Sequence, residues 1–419
     1  MAKPKLCLIP ATIGDKVYSI LPSNGVGDFD FTRATTATRI NAQGLIEEVA
    51  SGENRLNYSL LDGKVVGCPH LLLEPSRTNT ITHSNDFSQS IYGKINLTIT
   101  ANQGISPDGT QNANLLVPNA AVGNRYLTNN TGSNLKINTV FLKKKELRYV
   151  KVGNSQSNVL VDLENGTISA GSVSTNNFTI ENYGNGWYRV SCYNTLDVNL
   201  QIQIFIGIDG SGSNIATNGT DGVYIYGFEI QNGSYPTSYI KTNGSAVTRA
   251  AETCNGSGDA ATFNDSEGVL FANIAALADD GTYRIISLSN GNVDNSTNIQ
   301  YSGVSNQIRA RIENGGLPQA DITSTVTSQT LFHKIAVLYK SNQFELWSNG
   351  FKVGEDTNGT PPSGINKLSF DRADGINDFY GKTKEIGYYD ATLTDSELEY
   401  LTSYRSLNEL VTELNLNTL

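Results

Sequence analysis

The sequence predicts a mostly β protein: two tandem antiparallel sandwiches behind an extended N-terminal arm, with a short C-terminal helix. Three observations carry this. The chain has 40 Gly, 20 Tyr and a single Met, a composition that favours pleated surfaces and tight turns over helices. Stretches of alternating apolar and polar residues recur between short clusters of Asn, Gly, Asp and Ser. At 419 residues the chain exceeds one ordinary core, because domains run to roughly 100–200 residues.

Residues 1–80 hold short apolar pieces ("LCLIP", "KVYSILP", "GLIEEV", "CPHLLLEPSRTN") broken by Pro4, Pro10, Pro22, Pro69 and Pro75. Proline confines a residue to sheet edges or ends a ladder. This segment therefore reads as an arm that depends on partners for burial, with a docking role.

Residues 81–250 read as the first sandwich. In "LQIQIFIGIDG", Leu200, Ile202, Ile204, Ile206 and Ile208 fall on one face and Gln201 and Gln203 on the other. "LRYVKVGN", "GWYRVSCYN" and "VYIYGFEI" add strands, at the turn spacing of a sandwich or jelly roll. In the last of these, Tyr224, Tyr226, Phe228 and Ile230 are expected on one face and Val223 and Ile225 on the other, marking a central final strand. "GSYPTSY" then leaves the sheet, since Pro236 has no amide hydrogen to continue a ladder.

Residues 251–261 are expected as a linker, and 262–405 as a second two-sheet sandwich. "HKIAVLYKSNQFELWSNGFKVGE" predicts two hairpins, one turning at Ser341 to Gln343 and one at Asn349-Gly350, a pair suited to a type I′ turn. In "LTDSELEYL", Thr394 and Glu397 have capping-box spacing, and Leu398 and Leu401 share a stripe. Residues 406–419 are expected as a helical tail, in which Leu407, Leu410, Val411 and Leu414 recur at helical spacing. Such a stripe packs on its own domain or against copies of itself, the former being the default.

Composition narrows the function classes. With 38% hydrophobic and 17% charged residues the chain is a folded one. A net charge of -10 argues against nucleic acid, whose affinity comes from clustered Lys and Arg; the basic run Lys143 to Lys145 reads as a solvated strand end. Cys7, Cys68, Cys192 and Cys254 lie far apart, without zinc or disulfide spacing. The amino terminus shows no secretory core and no run of about 18 apolar residues follows, so the expectation is a cytoplasmic product without membrane insertion.

Catalytic patterns are hard to find. His70, His83 and His333 stand in contexts typical of surface or satisfied histidines. Glu385 and Asp390 lie five apart, on opposite faces of a regular strand, which is wrong for paired glycosidase carboxylates. No catalytic residue and no cofactor is assigned, and the protein is expected not to be an enzyme. Binding has better material: Trp187 and Trp347 are candidates to stack on sugar rings. Trp347 is out of phase with Phe344 and Leu346, which leaves exposure and core burial both open. Asp371, Asp374 and Asp378 in "SFDRADGINDFYG" are hard oxygen ligands suited to calcium, against the ordinary reading of turn carboxylates.

Three stretches carry a family resemblance. "PATIGDKVYSILPSNGVGDFDFTRATTATRINAQGLIEE", with "RLNY" and "LLLEPSRTN", resembles the amino-terminal region of tailed-bacteriophage virion appendages, the head and tail fibres. "NGWYRVS" with "VYIYGFEIQNGSYPTSYIKTNGSAVTRAAE" resembles the end of the carbohydrate-binding-module-like jelly roll in such proteins. "ELWSNGFKV" and "KEIGYYDATLTDSELEYL" resemble the closing strands and helix of concanavalin A-like or laminin-G lectin domains. The resemblance implies a virion structural protein made in the host cytoplasm. It would be a homotrimer docked on capsid or tail proteins through residues 1–80, with sandwiches projecting toward host glycans. A polysaccharide-degrading appendage and a bacterial surface lectin are the alternatives.

Overall fold

The computed structural model describes residues 3–10, 12–13, 15–120, 123–129, 136–153, 158–170, 178–193, 202–405 and 409. Its strands form two antiparallel sandwiches, with one short helix among the described residues. The first sandwich faces two six-stranded sheets against each other. One runs in the order Tyr92–Ile95, Tyr126–Asn129, Ile202–Ile208, Tyr149–Gly153, Asn158–Asp162, Thr167–Ala170. The other runs Leu97–Gly104, Ala113–Pro118, Val223–Asn232, Lys136–Lys144, Trp187–Tyr193, Phe178–Asn182. Leu116, Leu142, Val150, Val161, Ile204, Ile206 and Val223 fill the space between them.

Val223–Asn232 is central and the last strand of its sheet, as expected, but its faces differ from the expected alternation. Val223, Ile225, Phe228 and Ile230 all enter the sandwich core, whereas Tyr226 packs on the opposite side with Phe141 and Tyr239. The cause is a bulge: the register with the neighbouring strand shifts between Thr139 and Phe141, opposite Gly227 at φ 60°. One extra residue inverts the phase beyond it. Glycine fits because a Cβ there would stand 2.8 Å from the Phe141 ring.

The second sandwich packs a five-stranded sheet on an eight-stranded one. The five strands run Leu317–Thr325, Gln307–Asn314, Ser296–Tyr301, Arg284–Ser289, Lys367–Ser369. Both expected hairpins are present: Lys340 pairs with Gln343 and Ser348 with Phe351. Their turn residues Asn342, Asn349 and Gly350 have φ of 59°, 52° and 90°, the left-handed conformation that two-residue hairpin turns require. The helix Asp395–Thr402 begins in the expected capping box of Thr394 and Glu397. It seats Leu398 and Leu401 on the outer face of the larger sheet. Most of the expected tail, including Leu407, Leu410, Val411 and Leu414, lies outside the described residues.

Residues 1–80 do not stand apart as an arm. Leu6–Leu8 and Lys64–Leu73 both pair with Gly381–Tyr389, and Leu56–Leu61 extends the same eight-stranded sheet. Leu6, Leu8, Phe29, Phe31, Leu71 and Leu73 lie in the core of the second sandwich. The hairpin of Ala37–Ile40 with Ile46–Val49 docks instead on the first sandwich, where Ile46 N–H donates to Pro107 O at 2.9 Å. The partner that buries these proline-broken pieces is the rest of the same chain. The expected linker is also structured: Thr253–Asn255 pairs with Phe29–Thr32, and Cys254 is in the second core.

A buried ion network joins these parts. Arg33 binds Glu252 at 2.8 Å; Arg55 binds both Glu252 and Glu74, the latter at 2.8 Å; Arg249 binds Glu74 at 2.8 Å. All five side chains are at most 4% exposed. Glu74 also accepts bonds from Ser238 N–H at 2.8 Å and Ser238 Oγ–H at 2.6 Å. Burial alone would raise the Glu74 carboxyl, but Arg249, Arg55 and the Ser238 bonds outweigh it and hold it down at about 2.

Candidate functional site

The five-stranded sheet has two faces of opposite character. Ile299, Tyr301, Ile308, Ala310 and Ile312 point into the core. Between them, period-two alternation turns Ser296, Asn298, Gln300, Arg309, Arg311 and Glu313 outward. Cross-strand pairing sets Asn298 beside Arg311, Gln300 beside Arg309 and Ser296 beside Glu313, so the outer face is a polar ladder.

That ladder is the floor of a groove of about 380 Å³, walled by Tyr283, Val293, Asp294, Gly316, Arg372 and Asn377. Two loops build the walls. Gly316 N–H donates to Asp294 O at 3.0 Å and Gly315 N–H to Asn295 Oδ1 at 3.2 Å, tying the 290–295 loop to the neighbouring hairpin. The 371–378 loop folds back through Arg372 N–H to Ile376 O at 3.0 Å and Ile285 N–H to Asn377 O at 3.2 Å. The walls leave Ser296, Asn298 and Gln300 at 1%, 3% and 4% exposed even though they face away from the core.

Two features give the groove its chemistry. Asn298 donates through Nδ2 to Ser296 Oγ at 3.0 Å, while its Oδ1 is buried without a partner. An unpaired buried polar atom costs about 1–3 kcal/mol. Tyr283, 39% exposed, offers a ring at the rim. Each guanidinium in the groove is held by carboxylates: Arg309 forks onto Asp321, Arg311 onto Glu313 and Asp321, and Arg372 onto Asp374. The Arg309 bonds draw the Asp321 carboxyl below its ordinary value, and Arg372 does the same for Asp374.

The candidate sugar-stacking tryptophans are elsewhere and covered. Trp187 is 1% exposed, packed with Ile46, Phe141 and Tyr226, and donates from Nε1 to Ile105 O at 3.0 Å. Trp347 is 5% exposed and donates from Nε1 to Glu345 Oε2 at 2.8 Å. Its phase opposite Phe344 and Leu346 is as read from the sequence, but the C-terminal helix covers that face. The three aspartates do not converge. Asp371 accepts from Ala373 N–H at 2.6 Å and Asn255 Nδ2 at 2.9 Å, Asp374 clamps Arg372, and Asp378 accepts from Tyr380 O–H at 2.8 Å. Among the described residues no group of three or more His, Cys, Asp or Glu is placed to hold a metal ion. Their loop matters differently, as a groove wall.

The strand segment "NQIRARIENG" holds a local signal of this groove. Ile308, Ala310 and Ile312 alternate with Arg309, Arg311 and Glu313, the signature of one buried and one charged face. A second, larger cleft of about 550 Å³ lies where the first sandwich meets the leader, lined in part by Tyr183, Arg189, Tyr235, Tyr239 and Lys382. Arg189 there is bound to Glu229 at 2.8 Å. No helix among the described residues is long and apolar enough to cross a membrane.

No protein-family model and no curated protein sequence matches the chain. Among solved structures, the CBM40 of Ruminococcus gnavus IT-sialidase bound to α2,3-sialyllactose is 15% identical. That match covers 36% of this chain and 94% of the module, with a TM-score of 0.30. Domains LG4–5 of the mouse laminin α1 chain are 8% identical over 78% of this chain and 92% of theirs, with a TM-score of 0.25. Trypanosoma rangeli sialidase in complex with the inhibitor DANA is 12% identical over 85% of this chain and 78% of its own, with a TM-score of 0.30. Likenesses at this level carry no argument about ligand or reaction.

Proposed function

We propose that this protein is a structural component of a tailed-phage virion, a head or tail fibre, whose second sandwich binds a host surface glycan in the groove over its five-stranded sheet. The observation that carries the binding half is Asn298 Oδ1, buried and unpartnered on the floor of a walled polar groove. Sugars present donor and acceptor hydroxyls on a ring with apolar C–H faces, matching a floor of amide and hydroxyl groups beside Tyr283.

The virion half rests on the sequence likeness. "FTRATTATRI", "RLNY", "LLLEPSRTN" and "TRAAE" supply Arg33, Arg55, Glu74, Arg249 and Glu252, the whole of the buried network. The likeness therefore runs through residues that lock the leader to the "TRAAE" segment. The homotrimer rests on the same likeness alone, because the burial that motivated it is furnished within the chain. Docking on capsid or tail would use the outer surface of the leader, where Ile9, Tyr18 and Ile20 are exposed.

A glycan array probed with the full-length protein tests the binding half. Saccharide binding that Asn298→Ala lowers by about tenfold is expected, one hydrogen bond being worth about 1–1.5 kcal/mol. Binding that ignores this substitution rejects the groove. An electron-microscopy map of the virion tests the other half, and absence of the protein from both head and tail rejects it.

A further inference from the structure

The groove's charges are arranged in a way that selects among glycans. Its floor and rim hold three guanidiniums, those of Arg309, Arg311 and Arg372. A surface that recruits acidic ligands leaves guanidinium forks open for them. Here every fork is already engaged. Arg309 donates through Nε and Nη2 to the two oxygens of Asp321, Arg311 through Nε to Glu313 and Nη1 to Asp321, and Arg372 through Nη2 to Asp374.

The charge that stands open has the other sign. Asp294 lines the groove, and among the described residues its carboxylate takes part in no ion pair or hydrogen bond. Asp294 and Glu313 share the lining with the three guanidiniums, and Asp321 and Asp374 pair with those guanidiniums from outside it, so each guanidinium has its carboxylate and Asp294 is left over. The two groups without a protein partner, Asp294 and Asn298 Oδ1, both accept hydrogen bonds. Sugar hydroxyls donate to such groups, and a pair on adjacent ring carbons reaches both oxygens of one carboxylate. A sugar carboxylate or sulfate offers no donor, and it meets the unpaired Asp294 beside guanidiniums that are already neutralised, which is unfavourable.

We infer that the groove selects neutral, hydroxyl-rich saccharides and discriminates against their acidic counterparts. This rests on the groove being the glycan site.

The test is calorimetry on the full-length protein with matched oligosaccharides: a galactose-terminated chain against the same chain capped by sialic acid, and a glucose oligomer against a glucuronate oligomer. The neutral member of each pair is expected to bind at least about tenfold more tightly, the effect of about 1.4 kcal/mol. The gap should narrow as salt is raised, because screening weakens repulsion between exposed charges. Asp374→Asn, which frees Arg372 at the rim, is expected to raise the affinity of the acidic members about threefold. Asp294→Asn is expected to weaken the neutral ones. Melting temperature of each variant confirms that it folds. Tighter binding of the acidic members, abolished by Asn298→Ala, overturns the selectivity while keeping the groove. Failure of every saccharide to bind, or binding indifferent to Asn298→Ala, removes the groove reading and this inference with it.

Discussion

The protein contains two Arg–carboxylate assemblies built from the same groups and used in opposite ways. Around Glu74 and Glu252 the side chains are at most 4% exposed, and the five charges tie the leader to the "TRAAE" segment. In the groove, Arg309, Arg311 and Arg372 are 17%, 30% and 40% exposed at the side chain. Identical chemistry fixes the fold where water is excluded and shapes a surface where water remains. Removing one partner from a buried set strands an uncompensated charge, whereas water and salt repair the loss in an open one.

The largest test of this contrast is Glu252→Ala. It leaves Arg33 without its carboxylate and Arg55 with Glu74 as its one remaining carboxylate, and should destabilise the protein by about 3–5 kcal/mol in denaturant unfolding. A loss below about 1 kcal/mol would show that the network is not sealed.

Acid titration is the next. The Glu74 carboxyl sits at about 2 in the folded chain against an ordinary 4.5. A depressed carboxylate stabilises above its unfolded pKa and loses that contribution as pH falls through the folded one. Stability should therefore fall between about pH 4.5 and 2 by about 3 kcal/mol from this group. Glu74→Gln should flatten that part of the profile; an unchanged slope would contradict the assignment.

A smaller effect is expected from Asp374→Asn, which breaks a pair open to water and should change stability by no more than about 0.5 kcal/mol. The smallest is Asn298→Ala. It deletes a buried acceptor that has no protein partner together with the Nδ2 bond to Ser296 Oγ, a gain and a loss that offset each other, so melting should be nearly unchanged while groove binding falls. A melting drop as large as that of Glu252→Ala would make Asn298 a structural residue and erase the contrast.

Much of the fold was legible because its signals are local. The Asn349-Gly350 turn, the Thr394–Glu397 capping box and the alternation of Ile202, Ile204 and Ile206 each lie within a few residues and reappear in the structure. Inverted faces beyond Gly227 were not legible, since a bulge is set by how the partner strand at Thr139 and Phe141 registers. The groove was half legible. The two-faced pattern of "QIRARIE" is in the sequence, but its walls come from loops at 290–295 and 371–378 that meet only after folding.

By itself the sequence determined the β class, the two-sandwich plan, the turns and the phase of Trp347, because spacing and backbone preference act between near neighbours. Only the tertiary structure decided what covers each outward face. The leader hairpin lies over Trp187 and the C-terminal helix over Trp347, while the polar ladder of Ser296, Asn298 and Gln300 floors a walled groove. It also decided that residues 1–80 find their burial on the sandwiches of the same chain, mostly on the second and with the 37–49 hairpin on the first. The physical reason is the same in each case: burial depends on which distant segment arrives, and strand periodicity holds no information about that.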